Sequence, residues 1–99
     1  MKKLFYPLLV GILLIINFKT AKATEIIVSN SSELQNAINN VQGGDTISLL
    51  TGNYGDFNIS GKNNSSFATI RAYAGATPVF NSIDINNSSY WKLYGMNIK

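Results

Sequence analysis

Arg71, Lys92 and Tyr94 are the side chains whose types and spacing best suit chemistry with a ligand. Arg71 and Tyr94 lie 23 positions apart, and the same interval separates Ile47, Ile70 and Leu93 and relates Thr46-Ile47 to Thr69-Ile70. If Ile70, Ala72, Leu93 and Gly95 point inward, alternation along a strand turns Arg71, Tyr73, Lys92 and Tyr94 outward and stacks Arg71 against Tyr94. An arginine fork matches a carboxylate, and a tyrosine ring offers a flat face to a sugar ring, so such a patch suits an anionic sugar chain. The pattern fits equally an ordinary solvated face whose stacked side chains steady neighbouring strands, and the residues alone favour that plainer reading.

Other chemistries find less support. Asp45, Asp56 and Asp84 are dispersed, and none sits in the Asp-x-Asp-x-Asp-Gly loop that concentrates oxygen ligands for calcium. Asp45 beside Gly44 reads as a turn residue. Histidine is absent, which removes a histidine-dependent nucleophile and a histidine metal site. The glycines form no phosphate-cradling motif. Asn63-Asn64 and Asn86-Asn87 read as turn residues whose side chains hydrogen-bond to each other in stacked turns, and Asn-x-Ser triplets such as Asn58-Ile59-Ser60 are expected by chance in so Asn- and Ser-rich a chain. No catalytic residue, metal ligand or cofactor-binding residue is therefore assigned.

The elements that must position the outward patch are short. Ile26-Ile27-Val28 within 24–29 is a β-branched run that favours a strand. Leu34, Ala37, Ile38 and Val41 then follow the i, i+3, i+4, i+7 spacing of one helical face. Ser32 is the expected N-cap, with Gln35 completing a capping box, and Gly43-Gly44 is expected to end the helix in a left-handed conformation. So short a helix needs a surface to lie on; the open end of a strand stack, which otherwise exposes unpaired edges, supplies one. Strands are expected at 46–50, 57–60, 68–73, 79–80, 82–85 and 91–98, separated by Gly-, Asn- and Ser-rich turns. Ile59 and Ile85, 26 apart, supply a second, looser series. A period in the twenties predicts an all-β fold, a parallel β-helix or solenoid with a short α-helical cap. A small antiparallel sandwich competes, since its strands also recur between turn signals, but the two-residue Asn-Gly or Asp-Gly hairpin signature is missing.

The first residues belong to a different kind of segment. Met1-Lys2-Lys3, the apolar run from Leu4 to Ile16 and the small-x-small pattern Ala21-Lys22-Ala23 predict a signal peptide over 1–23, cleaved after Ala23. The apolar run falls short of the roughly 20 residues a membrane span needs; an uncleaved N-terminal anchor is the competing reading. The zero cysteine count excludes a lipid-anchored lipoprotein and a disulfide framework. Lys2, Lys3, Lys19 and Lys22 are four of the eight basic residues, so the chain beyond Ala23 carries four basic against five acidic residues, a net charge of −1. The +3 of the whole chain thus says nothing for nucleic-acid binding.

Taken together, a helix leading into Gly43-Gly44-Asp45-Thr46-Ile47 and then Gly52-Asn53-Tyr54, the run Ala68-Thr69-Ile70-Arg71-Ala72, and Tyr90-Trp91-Lys92-Leu93-Tyr94-Gly95-Met96-Asn97-Ile98 carry a resemblance across 26–99. The chain resembles the N-terminal part of secreted right-handed parallel β-helix proteins, especially the polysaccharide lyase family of chondroitinase B and alginate lyases. That resemblance implies export to a periplasm or beyond the cell, an acidic polysaccharide substrate, cleavage by β-elimination, and calcium as a possible cofactor of the full-length protein. The charge count beyond the leader predicts no nucleic-acid partner, and cleavage of the leader predicts no membrane partner; nothing in the sequence specifies an oligomeric state. The resemblance also implies that 24–99 is the cap and first coils of an incomplete domain, and that the catalytic residues lie in later coils, so none is carried over and the piece alone is expected to be inactive. A non-enzymatic β-helix surface, adhesion or glycan-binding protein is the alternative from another class.

Overall fold

The computed structural model describes residues 23–99. The predicted leader, apart from Ala23, lies outside the described residues. Seven strands and one helix follow in the order β1 (Glu25–Val28), α1 (Ser31–Asn40), β2 (Thr46–Leu49), β3 (Gly52–Ser60), β4 (Asn63–Ala72), β5 (Pro78–Asn86), β6 (Ser89–Tyr94) and β7 (Asn97–Ile98). The described chain is thus mostly strand, as an all-β fold requires.

Two sheets share the strands. One has the order β1-β2-β4-β6 and the other β3-β5-β7, so from β2 onward the chain alternates between sheets. Every pairing is parallel. Parallel neighbours cannot be joined by a hairpin and need a crossover; α1 provides it between β1 and β2, a strand of the other sheet provides it thereafter, and the antiparallel sandwich is excluded.

Register follows the apolar period. Ile26 pairs with Ile47, Ile47 with Ile70, and Ile70 with Leu93, while Thr46 pairs with Thr69. Ile59 pairs with Ile85 in the second sheet. A slip of one residue would turn the inward isoleucine and leucine side chains to the outer surface, so burial specifies the pairing. Ile47, Leu49, Tyr54, Ile59, Ala68, Ile70 and Phe80 belong to one buried cluster, against which Ile83, Trp91, Leu93 and Met96 pack half-buried.

Tyr54 and Phe57 are both buried although three positions apart, which strict alternation forbids. A bulge between Asn53 and Asp56 absorbs the extra residue, with Gly55 at φ +68°. Tyr54 then stacks on Phe80 at 5.1 Å between centroids, and Phe57 meets Phe80 edge-on at 6.3 Å. The Tyr54 hydroxyl donates to the carbonyls of Leu50 (2.7 Å) and Val28 (3.2 Å), tying β3 back to β1. Burial raises the Tyr54 pKa, and the Glu33 carboxylate adds to that shift.

The helix lies across β1 and β3, the first strand of each sheet, and buries Leu34, Ala37 and Ile38. Its ends differ from expectation. Asn30, not Ser32, is the N-cap: its Oδ1 accepts from the Glu33 N–H at 2.8 Å. Glu33 Oε1 accepts from the N–H and hydroxyl of Ser29, one residue before the cap, so Asn30 and Glu33 hold the helix start in place of the expected Ser32–Gln35 box. Both registers offer a capping oxygen; a carboxylate in the first turn also complements the helix dipole, which Gln35 does not. At the other end the cap is Val41, extended at φ −70° and ψ 150°, and not a glycine. Gly43 serves a different purpose, since a Cβ there would lie 2.8 Å from the Ser66 carbonyl oxygen and 2.9 Å from its nitrogen.

Other boundaries also shift. The expected strands at 79–80 and 82–85 are one strand, β5, and the turn expected between the strands at 57–60 and 68–73 is already strand from Asn63. The expected single strand over 91–98 is two, in different sheets, because Gly95 at φ +85° turns the chain between them. Its position would also set a Cβ 3.2 Å from that of Ala72.

Candidate glycan-binding face

The outer surface of the β1-β2-β4-β6 sheet holds the three residues singled out by sequence. Two cross-strand rows run over it: Glu25, Thr46, Thr69 and Lys92 in one, and Ile27, Ser48, Arg71 and Tyr94 in the other. Arg71 and Tyr94 are therefore register partners, and Lys92 shares their face two residues from Tyr94. The residues between them, Ile70 and Leu93, turn inward to the core.

Arg71 points its charge away from Tyr94. Its Nη2 lies 3.1 Å from Glu25 Oε2, across β2, and Nη1 donates to the Ala72 carbonyl at 3.3 Å. The same Glu25 oxygen accepts from the Ser48 hydroxyl at 2.5 Å. One carboxylate thus joins β1, β2 and β4, and Ser48 is completely buried on what is nominally the outer side. Arg71 thereby ties β4 to β1 across β2.

Lys92 and Tyr94 remain exposed. Beside them stand two rings that sequence reasoning passed over. Phe67 and Tyr90 are about half exposed and meet edge-on at 5.2 Å between centroids. They also lie 23 positions apart, so the interval that located Arg71 and Tyr94 would have found them. Alternation presents Lys92 and Tyr94 outward, with inward-leaning Trp91 and Leu93 before them and between them, and Tyr90 reaches the surface from a left-handed conformation at φ +63°. The Trp91 indole donates to the Lys62 carbonyl at 3.0 Å, which anchors β6 to the turn before β4.

The opposite sheet carries a different surface. Asp56 pairs with Ser82 and accepts its hydroxyl at 3.0 Å, and Asn58 pairs with Asp84. Asp45 takes the role of a turn residue, its two oxygens accepting from the Thr24 and Gln42 N–H groups at 3.0 Å each. Among the described residues no group of three or more Asp, Glu, His or Cys is placed to hold a metal ion, and no helix is long and apolar enough to cross a membrane. The asparagine turns do not bond to one another as expected: Asn63 Oδ1 accepts from Ser89 Oγ, and Asn64 Nδ2 donates to the Ser89 and Tyr90 carbonyls. The bonds join the starts of β4 and β6, 25 or 26 residues apart.

A groove of about 430 Å³ lies between the end of α1 and the β3–β4 turn, lined among others by Gln42, Lys62, Asn63 and Asn64. Its cation is committed: Lys62 Nζ donates to the Asn39 carbonyl in the last helical turn, where the helix dipole favours positive charge. Comparisons with protein-family models, with characterised proteins and with solved structures find no match to this chain.

Proposed function

We propose that this chain forms the cap and first coils of a right-handed parallel β-helix in an exported protein that cleaves uronate-containing polysaccharide by β-elimination. The observation that carries the reading is the parallel column Ile26-Ile47-Ile70-Leu93, repeated in the other sheet by Ile59 over Ile85. In a stack of this kind each coil covers its neighbour, and adding coils lengthens a continuous outer face. A long, regular face is what a polymer substrate needs.

The chemistry has three requirements. A cation must offset the uronate carboxylate, a base must take the proton from the adjacent carbon, and an acid must protonate the departing sugar oxygen as the carbon–oxygen bond breaks and a carbon–carbon double bond forms. Residues 23–99 are assigned none of these roles; they found the scaffold on which they stand. The test is to incubate the complete gene product with alginate, pectate and dermatan sulfate. A rise in unsaturated-uronate absorbance with any of them supports the reading, and no rise with all three overturns it.

A second reading has an observation of its own. The exposed rings and Lys92 on the outer sheet face suit a non-enzymatic glycan-binding or adhesion protein, which would hold these polymers without cutting them. Retention on immobilised alginate with no unsaturated product decides for it.

A further inference from the structure

The chain's charges are distributed unevenly. All five of its acidic residues have a defined place. Glu25 is held by Arg71 and Ser48, Glu33 by Ser29, and Asp45 by the Thr24 and Gln42 N–H groups. Asp56 and Asp84 lie on β3 and β5, in the other sheet. Of the cations on the first sheet's outer face, Arg71 is neutralised by Glu25. Lys92 has no carboxylate within ion-pair distance among the described residues, and it stands between Tyr90 and Tyr94 with the Phe67 ring against Tyr90.

We propose that Phe67, Tyr90, Lys92 and Tyr94 form a binding strip for a carboxylate-bearing glycan, separate from any site of bond cleavage. This deepens the function proposed above, and rests on it for the kind of polymer. The physical grounds are complementarity of two sorts. A free ammonium group on a face whose one carboxylate, Glu25, is already held by Arg71 attracts an anion, and the attraction weakens as salt screens it. Half-exposed rings supply flat apolar area that a sugar ring covers at little cost in side-chain order, since aromatic side chains have few rotatable bonds. Successive outward residues on a strand are about 7 Å apart, so Lys92 and Tyr94 set a charge beside a ring face along an extended ligand, while Tyr90, at φ +63° where the pairing shifts, packs its ring against Phe67. Arg71 stands outside the strip, because binding an anion there would require breaking its pairing with Glu25.

Affinity electrophoresis of the full chain through gels containing alginate, pectate or neutral dextran tests the strip. The two uronate polymers are expected to retard the protein, with retardation fading as salt is raised, and dextran is expected to leave it unaffected. Lys92→Gln should weaken retardation about fivefold, the effect of one exposed charge pair of about 1 kcal/mol, and Tyr94→Ala should weaken it as well. Arg71→Gln should leave it within about twofold of the parent. Thermal midpoints confirm that each variant is folded; should Tyr94→Ala unfold, Lys92→Gln alone decides. Unchanged retardation in Lys92→Gln, equal retardation by dextran, or a loss in Arg71→Gln as large as in Lys92→Gln overturns the proposal. The readout does not depend on eliminase activity. Retention without cleavage leaves the strip standing and removes the lyase, whereas cleavage with no retention removes the strip and leaves the lyase.

Discussion

Among the described residues, the strands at one end of the stack lie under a helix and those at the other do not. At the β1 and β3 end, α1 covers the first strand of each sheet, and Leu34 and Ile38 are buried to within 1% of their surface. At the β6 and β7 end, Trp91, Leu93 and Met96 are only half-buried, and Ile98 keeps 56% of its surface exposed. The inward-facing residues are alike in kind at both ends. What differs is whether another element lies over them, and in a fold whose strands cover one another this decides how much each apolar side chain contributes.

Cutting side chains at the two ends should give unequal losses. Ile38→Ala should cost about 2–5 kcal/mol, the range for truncating a fully buried aliphatic residue, and Leu93→Ala clearly less because part of the side chain is already in water. Urea denaturation of the two variants measures both, and equal losses would break the comparison.

Tyr54 sharpens it within the covered end. Tyr54→Phe should cost about 1 kcal/mol, since two carbonyls lose a shared donor while the stack on Phe80 remains. The raised Tyr54 pKa adds a dependence on pH. The folded state keeps the phenol protonated to higher pH than the unfolded state, whose tyrosine titrates near about 10. The stabilisation is therefore complete below that pH and is lost as pH rises toward the folded value. Denaturation midpoints from neutral to strongly alkaline pH should fall more steeply in the parent than in Tyr54→Phe.

Asn30→Ala should cost about 1 kcal/mol by removing the helix N-cap, and Ser32→Ala much less. The reverse order in thermal melts would restore the capping register expected from sequence. Smallest is Glu25→Gln: the Glu25–Arg71 pair is partly exposed, so its loss is worth about 0–1 kcal/mol and fades in high salt. A larger, salt-independent loss would mean that the buried Ser48 hydroxyl, and not the ion pair, is the stronger tie among β1, β2 and β4.

The fold was more legible than the face. Periodicity at 23 residues located Ile47, Ile70 and Leu93 in one column, because each occupies an inward position that only an apolar side chain tolerates. The same periodicity placed Arg71 beside Tyr94 but missed Phe67 beside Tyr90, since both rings stand just outside the strands expected at 68–73 and 91–98. Bounds were less legible than columns. Asn30, Ser31 and Ser32 are all competent caps, and which one serves depends on where Glu33 can reach. Residues 91–98 read as one strand because Gly95 falls on an inward position of the alternation, and the bend there becomes necessary only when two sheets must each receive a share.

By itself, the sequence determined the spacing of the apolar columns, the existence of the amphipathic helix and the outward direction of Arg71, Lys92 and Tyr94. These follow from local alternation and from the free energy of removing apolar groups from water, both of which are written along the chain. Only the tertiary structure decided that Glu25, 46 residues earlier, takes the charge of Arg71 and leaves Lys92 unopposed on the same face. Pairing between charges depends on which strands become neighbours in space, and no local pattern carries that information.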